Sequence, residues 1–296
     1  MKPSERRPQK LDPEEWVEQA YFFRIFRERI AENIPAQEVL SRAHDEVLAT
    51  TKLPYAIQYL ATELNFSGLL GTGFARLPHY FTAFQTFVIQ QAEEEGKRFT
   101  IPVALQILER EARYKAGTPT EAGLFVYHLE TIARNRLGYA AGLRAMMADP
   151  FYSDDWVKHI EIVHRQLGVV ELAELIYLRS EAYVVDRRRE EPGYEPSLPP
   201  LFSEKAGRIG RASIGRDPLF LFAALQRQLG YPEVPRPQDR SDTSVRLELL
   251  QAKVRDLEAR LRILESETRG TFDPTQFGKP EFLRDLEPEE ENPDPQ

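Results

Sequence analysis

Prolines in this chain stand at the heads of apolar runs with helical spacing. Asp12-Pro13 pairs a capping residue with a proline at the first helical position, and Glu14 and Glu15 follow at the positive end of the dipole. Pro35 precedes Val39, Leu40, Ala43 and Val47, and Pro54 precedes Ile57, Leu60, Ala61 and Leu64. Pro78 precedes Phe81, Phe84, Val88 and Ala92; Thr100 and Pro102 lead into Ala104, Ile107, Leu108 and Ala112. Asp217-Pro218 leads into Leu219, Phe222, Leu225 and Leu229. Proline lacks the N–H that a helix interior must donate, but the first turn has no internal acceptor for that group, so these positions predict helix starts.

Other punctuation agrees. Thr118 with Glu121 predicts a capping box ahead of Ala122, Phe125, Leu129 and Ile132. Ser153 precedes Trp156, Ile160, Val163 and Leu167, and a further helix is expected from about Val169 to Asp186. Gly96, Gly117 and Gly230 read as stops, and Arg136-Leu137-Gly138, Arg165-Gln166-Leu167-Gly168 and Arg227-Gln228-Leu229-Gly230 share the chemistry of a helix end. No segment alternates apolar and polar residues long enough to make a strand. The expected class is all-α.

The chain divides by composition. Residues 1–11 are a polar, basic tail and 12–189 a helical globular domain. Residues 190–216 read as a proline- and glycine-rich linker ending in a basic loop. A short helix follows at 217–230, then a second linker at 231–240, a coiled coil at 241–267 and an acidic, disordered tail at 268–296.

The coiled-coil expectation rests on Leu247, Leu250, Val254, Leu257, Leu261 and Leu264, spaced three, four, three, four and three apart. Leu247, Val254 and Leu261 take the a positions and the other leucines d. In a parallel pair, Lys253 at g meets Glu258 at e of the next heptad, and Arg260 meets Glu265; an antiparallel pair sets like charges together. The charges favour parallel self-association. Arg260-Leu261-Arg262-Ile263-Leu264-Glu265 resembles a pattern common in parallel trimers, and the a and d residues also suit a dimer.

Candidate sites are sparse. Glu161 and His164 have the Glu-x-x-His spacing of helical metal sites, but no second such pair accompanies them. Ser67 to Gly73 is rich in glycine without the Gly-Lys-Ser/Thr of a phosphate loop, and reads as a helix connection. Lys205, Arg208, Arg211 and Arg216 in the basic loop form a possible polyanion contact, and Ser213 sits among them. Phe277, Phe282, Leu283 and Leu286 stand out as a possible linear motif in the polar tail. No cofactor motif and no catalytic constellation is present. A net charge of −8 argues against nucleic acid as a partner. The most apolar stretch, Gly68 to Ile89, is broken by Arg76, Pro78, His79 and Gln85, which argues against a membrane span. The N-terminus lacks the apolar run of a secretory signal, and the absence of cysteine suits a reducing cytoplasm.

The expectation is a non-enzymatic structural or adaptor protein that self-associates as a parallel dimer or trimer and offers helical domains and a C-terminal motif to an unidentified protein partner. The alternative is an all-α enzyme, or a small-ligand or metal binder, with its polar site between helices.

Overall fold

The computed structural model describes residues 10–94 and 98–237, and single helical positions between 250 and 261. Residues 1–237 belong to one compact unit and residues 238–296 to a second. The described part of the first unit is all-α. Its helices are α1 Pro13–Ala31, α2 Ala36–Ala43, α3 Leu53–Ser67, α4 Leu70–Arg76, α5 Ala83–Glu93, α6 Ile101–Ala116 and α7 Glu121–Arg134. They continue with α8 Tyr139–Met147, α9 Asp154–Gln166, α10 Leu172–Leu178, α11 Glu181–Glu190, α12 Glu204–Ser213 and α13 Pro218–Leu229. Among the described residues, β pairing is confined to two isolated bridges.

The core forms around α1, which lies along α6. Phe22, Phe23 and Phe26 are wholly buried, and a chain of rings runs from Phe23 through Phe74 to Phe81, the last two 4.1 Å apart between centroids. The same helix also buries polar residues. Glu15 accepts from the Lys52 backbone N–H and from the Tyr80 hydroxyl, each at 2.8 Å, and Glu18 accepts from the Leu48 N–H at 2.8 Å. Gln19 accepts from the Gln85 side chain at 3.0 Å. Each acid thereby takes up one backbone N–H of the α2–α3 connection and ties that connection to α1.

Several helix starts differ from the sequence expectation. Pro78 lies in a turn, and α5 begins after Thr82, whose hydroxyl and the Gln85 side chain form a reciprocal capping box. Thr120, not Thr118, caps α7 by accepting from the Gly123 N–H; Glu121 instead accepts from the Ser153 N–H. The stretch read as a loop at Ser67 to Gly73 contains the start of α4, whose Leu70 and Gly71 N–H groups donate to Glu93 at 2.6 and 2.9 Å. The single helix expected over 169–186 is two, broken at Arg179 and restarted by the Ser180 cap. Of the three Arg–Leu–Gly ends, Gly168 and Gly230 are left-handed, but at the first it is Arg136 that takes positive φ, and Gly138 opens α8.

The largest correction concerns the expected linker at 190–216. Lys205 to Ser213 is not a loop but helix α12, seated on α10 and α11. Its glycines serve close approach. A Cβ on Gly207 would stand 2.0 Å from the Ser180 hydroxyl, and one on Gly210 would stand 2.9 Å from the Ala173 carbonyl oxygen. The proline-rich approach to α12 is also anchored: Leu201 and Phe202 donate to the Arg179 carbonyl, and the Phe202 ring is buried against Phe125 and Trp156. Arg189 is therefore not a domain edge. The segment after α13 is held too. Tyr231 donates to Glu130 at 2.6 Å, the Asn135 side chain donates to the Pro235 carbonyl at 3.1 Å, and Val234 is buried.

Candidate functional site

The chemically richest place in the first unit is one that sequence reasoning missed. Glu111 and Lys115 lie one turn apart on the inner face of α6; α7 contributes His128, and the turn between α8 and α9 contributes Asp149 and Tyr152. The Lys115 ammonium bridges the two acids, 2.8 Å from Glu111 Oε1 and 2.8 Å from Asp149 Oδ2, with its charge 4.7 Å from the Trp16 ring centroid. His128 Nε2 lies 3.0 Å from Glu111 Oε1, and Nδ1 lies 3.0 Å from the Tyr152 hydroxyl. The Phe84 ring stacks on the imidazole at 3.7 Å.

The electrostatics choose one arrangement of protons. Burial pushes the Glu111 carboxyl up, but Lys115 and the His128 hydrogen bond outweigh it and leave the group at about 2. Burial pushes Lys115 down, and Asp149 and Glu111 together carry it above its ordinary value. His128 is held below its ordinary value by burial, against the pull of Glu111, so the ring is neutral. Tyr152, raised by burial, keeps its proton and donates it to Nδ1, and Nε2–H donates to Glu111. The order of donation is fixed from Tyr152 to His128 to Glu111.

Glu111, His128 and Asp149 each offer an atom within 4.8 Å of the others, a donor set of the kind that holds a metal. Here the ammonium occupies the place between the carboxylates. These four side chains are at most 1% exposed and are bonded to one another. The arrangement ties α6, α7 and the α8–α9 turn to one another, and its chemistry is that of a buried ion-pair network.

A second buried histidine has the opposite character. His159 on α9 is wholly buried among Phe125, Trp156 and Phe202, with centroids at 5.4, 5.8 and 5.9 Å, and neither ring nitrogen has a hydrogen-bond partner among the described residues. Burial, and then the charge of Arg179, pull it down to about 3.

The residues nominated from sequence do not converge. Glu161 is exposed and paired with Arg165, while the His164 ring lines an open groove of about 430 Å³ with Tyr139, Ala140, Leu143, Leu167 and Gly168. Glu161 and His164 thus form no ligand cluster among the described residues. Arg208 pairs with Glu204 and Arg211 with Asp186, so two of the four cations of the expected polyanion contact have acidic partners on the protein. Lys205 is exposed on α12 and Arg216 follows it, its N–H donating to the Ser213 carbonyl. Ser213 is largely buried, with its hydroxyl donating to the Ile209 carbonyl one turn back.

In the second unit Leu250, Val254, Leu257 and Leu261 are helical and exposed, as are Lys253 and Glu258. Leu247, Arg260, Leu264, Glu265 and the motif at Phe277, Phe282, Leu283 and Leu286 lie outside the described residues. No described helix is long and apolar enough to cross a membrane. Comparison with protein-family models, with curated proteins and with solved structures returned no match.

Proposed function

We propose that this chain is a non-enzymatic adaptor that self-associates through a parallel coiled coil and so multiplies the copies of its helical domain. One observation carries the reading: the four described seam residues, Leu250, Val254, Leu257 and Leu261, are 54, 52, 57 and 58% exposed. Their spacing of four, three and four sets them on one face of a helix, and an apolar row left in water is stabilised when a like helix covers it. Each additional seam leucine buried in this way contributes about 1.5–3 kcal/mol. Linking domains this way strengthens weak contacts through effective concentration. The buried network supports the same reading from the other side, because the charged groups best able to do chemistry are spent on one another.

The partners on this reading are other copies of the chain and a protein recognised by the multiplied domain, in the cytoplasm, as the cysteine-free sequence suggests. The test is absolute mass by light scattering on the full chain and on a Leu250→Glu/Leu257→Glu variant. The expected result is a dimer or trimer reduced to monomer by the substitutions. A monomeric wild-type chain at about 100 μM sinks the proposal, because a coiled coil that organises function must form well below that concentration.

A second reading, a small-ligand binder, draws on the groove at His164. An adjoining apolar cavity of about 270 Å³, sharing Tyr139, Leu167 and Gly168 with it, extends the space to Leu129, Ala133 and Phe222.

A further inference from the structure

The outer face of α3 carries a second apolar seam, and we propose that it packs against α3 of a second copy of this chain. Tyr55, Tyr59, Thr62 and Phe66 follow one another at spacings of four, three and four, which places them in one stripe on a helix. Their exposure is unusual for aromatic side chains: Tyr55 is 75%, Tyr59 37% and Phe66 85% exposed, and Leu69 just beyond the helix is 47% exposed. Between Leu53 and Leu69 the one charged residue is Glu63, and it is buried with Arg76 bonded to it at 2.7 Å. Gln58 and Asn65, along the open flank of the stripe, are exposed and neutral. In a chain that is 29% charged, a helix this long whose own residues expose no charge is a surface prepared for contact.

Three features select a second copy as the occupant. First, the stripe is symmetric about its own centre. In an antiparallel two-fold pair, Tyr55 meets Phe66 of the second copy and Tyr59 meets Thr62 of the second copy, so large meets large at the ends and large meets small in the middle. That is the self-complementarity a two-fold interface requires. Second, the Gln58–Asn65 flank carries no charge, which removes along that side the like-charge penalty that two copies of an acidic chain otherwise carry; the exposed Arg76 guanidinium, beside Tyr59 and bonded to Glu63, lies on Glu63's side of the stripe. Third, the area fits a contact that needs help. The three aromatic side chains, at their exposures, offer roughly 400 Å² per copy, about half of the ~800 Å² per partner of an interface that stands alone. Such a contact is too small to hold free chains together and large enough to form once copies are tethered at millimolar effective concentration. The α3 face is thus a domain-to-domain contact, separate from the heptad seam and formed when another element gathers the copies.

The test uses the full chain, which has no cysteine of its own. Gln58→Cys with Asn65→Cys places two thiols along the open flank of the stripe without touching it. Within one chain the two positions are two helical turns, about 10.5 Å, apart, beyond disulfide reach. In the antiparallel pair, position 58 approaches position 65 of the second copy. Mild oxidation should give a disulfide-linked dimer, and adding Phe66→Glu, an exposed position that leaves the fold intact, should slow its formation at least tenfold.

Light scattering on the same samples separates this from the heptad reading. If the chain is oligomeric and the disulfide forms in a Phe66-dependent way, both contacts exist. If the chain is oligomeric and no disulfide accumulates, or the rate ignores Phe66→Glu, the α3 proposal is overturned and the heptad reading stands. If the chain is monomeric, the heptad reading fails, and the α3 contact is then read at about 1 mM protein, where a missing cross-link overturns it as well.

Discussion

His159 turns acid into a measurable loss of stability. Its folded-state pKa is depressed to about 3 from 6.5, by burial first and by Arg179 second. The sign follows from which state binds the proton. Below 6.5 the unfolded chain takes up a proton at this ring that the folded chain refuses, so the stability fully present above 6.5 declines as pH falls toward 3. The complete loss is about 5 kcal/mol, at about 1.36 kcal/mol for each tenfold fall in proton affinity, and about 2 kcal/mol of it has gone by about pH 5. Because the imidazole is wholly buried, solvent screening does not reduce this figure appreciably. His159→Phe keeps a planar ring among Phe125, Trp156 and Phe202 and removes the titration. Denaturant unfolding followed by tryptophan fluorescence, at about pH 8 and about pH 5, should show wild type losing about 2 kcal/mol more than the variant over that interval. Other groups that titrate in both proteins, His128 and Glu111 among them, cancel in the difference. Parallel pH dependences for the two proteins would refute the reasoning and mean that water or an acid reaches His159 in solution.

Removing the cation from the buried network should cost far more than removing a surface charge. Lys115→Met leaves Glu111 and Asp149 facing each other without a counter-charge and should lower unfolding free energy by about 3–5 kcal/mol, checked by the same denaturant assay; Arg208→Ala on exposed α12 should change it by less than about 1 kcal/mol. Gly207→Val should destabilise by about 2 kcal/mol or more, because its side chain would overlap Ser180 and Ala182 at the α11–α12 contact, whereas Gly215→Asn, at a left-handed turn with open space around it, should be tolerated within about 1 kcal/mol by thermal melting.

The class and most helix positions were legible because helix starts and apolar stripes are local signals. Asp12-Pro13, Pro35, Pro54, Thr100 and Asp217-Pro218 each stand within a residue of a helix start. The Thr82–Gln85 capping box and the Ser180 cap were local signals that went unread; the other misreadings share one cause, which is that a residue's role depended on what lay across from it. The glycines of Lys-Ala-Gly-Arg-Ile-Gly-Arg look like a loop when read alone, and become packing glycines only when Ser180 and Ala173 are known to sit against them. Thr118 and Thr120 offer equivalent capping chemistry, and Glu121 breaks the tie by bonding to Ser153, 32 residues away. The buried network was hidden for the same reason. Glu111 and Lys115 stand four residues apart, a spacing that surface ion pairs share, and only their partners His128 and Asp149, on other elements, mark this pair as buried. A usable hint was present, since Ile107, Leu108 and Ala112 set the inner face of α6 and Glu111 and Lys115 fall within it.

Where the polar groups lie bears on what the domain is for. Glu15, Glu18 and Gln19 on α1, Glu111 and Lys115 on α6, and Glu130 on α7 are all buried, and each bonds to a partner distant in sequence. Apolar side chains of similar volume could hold such helices together at least as firmly. What the polar groups add is register: a carboxylate that must meet a particular N–H or hydroxyl fixes one element against another in a way that a leucine does not. A domain that fixes its interior so closely while leaving Tyr55, Tyr59 and Phe66 on an outer face of α3 keeps that face in a constant shape. Rigid presentation lowers the ordering cost of association, which matters most for a contact too small to stand alone. On the α3 proposal, the buried polar network would hold the exposed aromatic stripe in one shape and so make that weak contact reproducible.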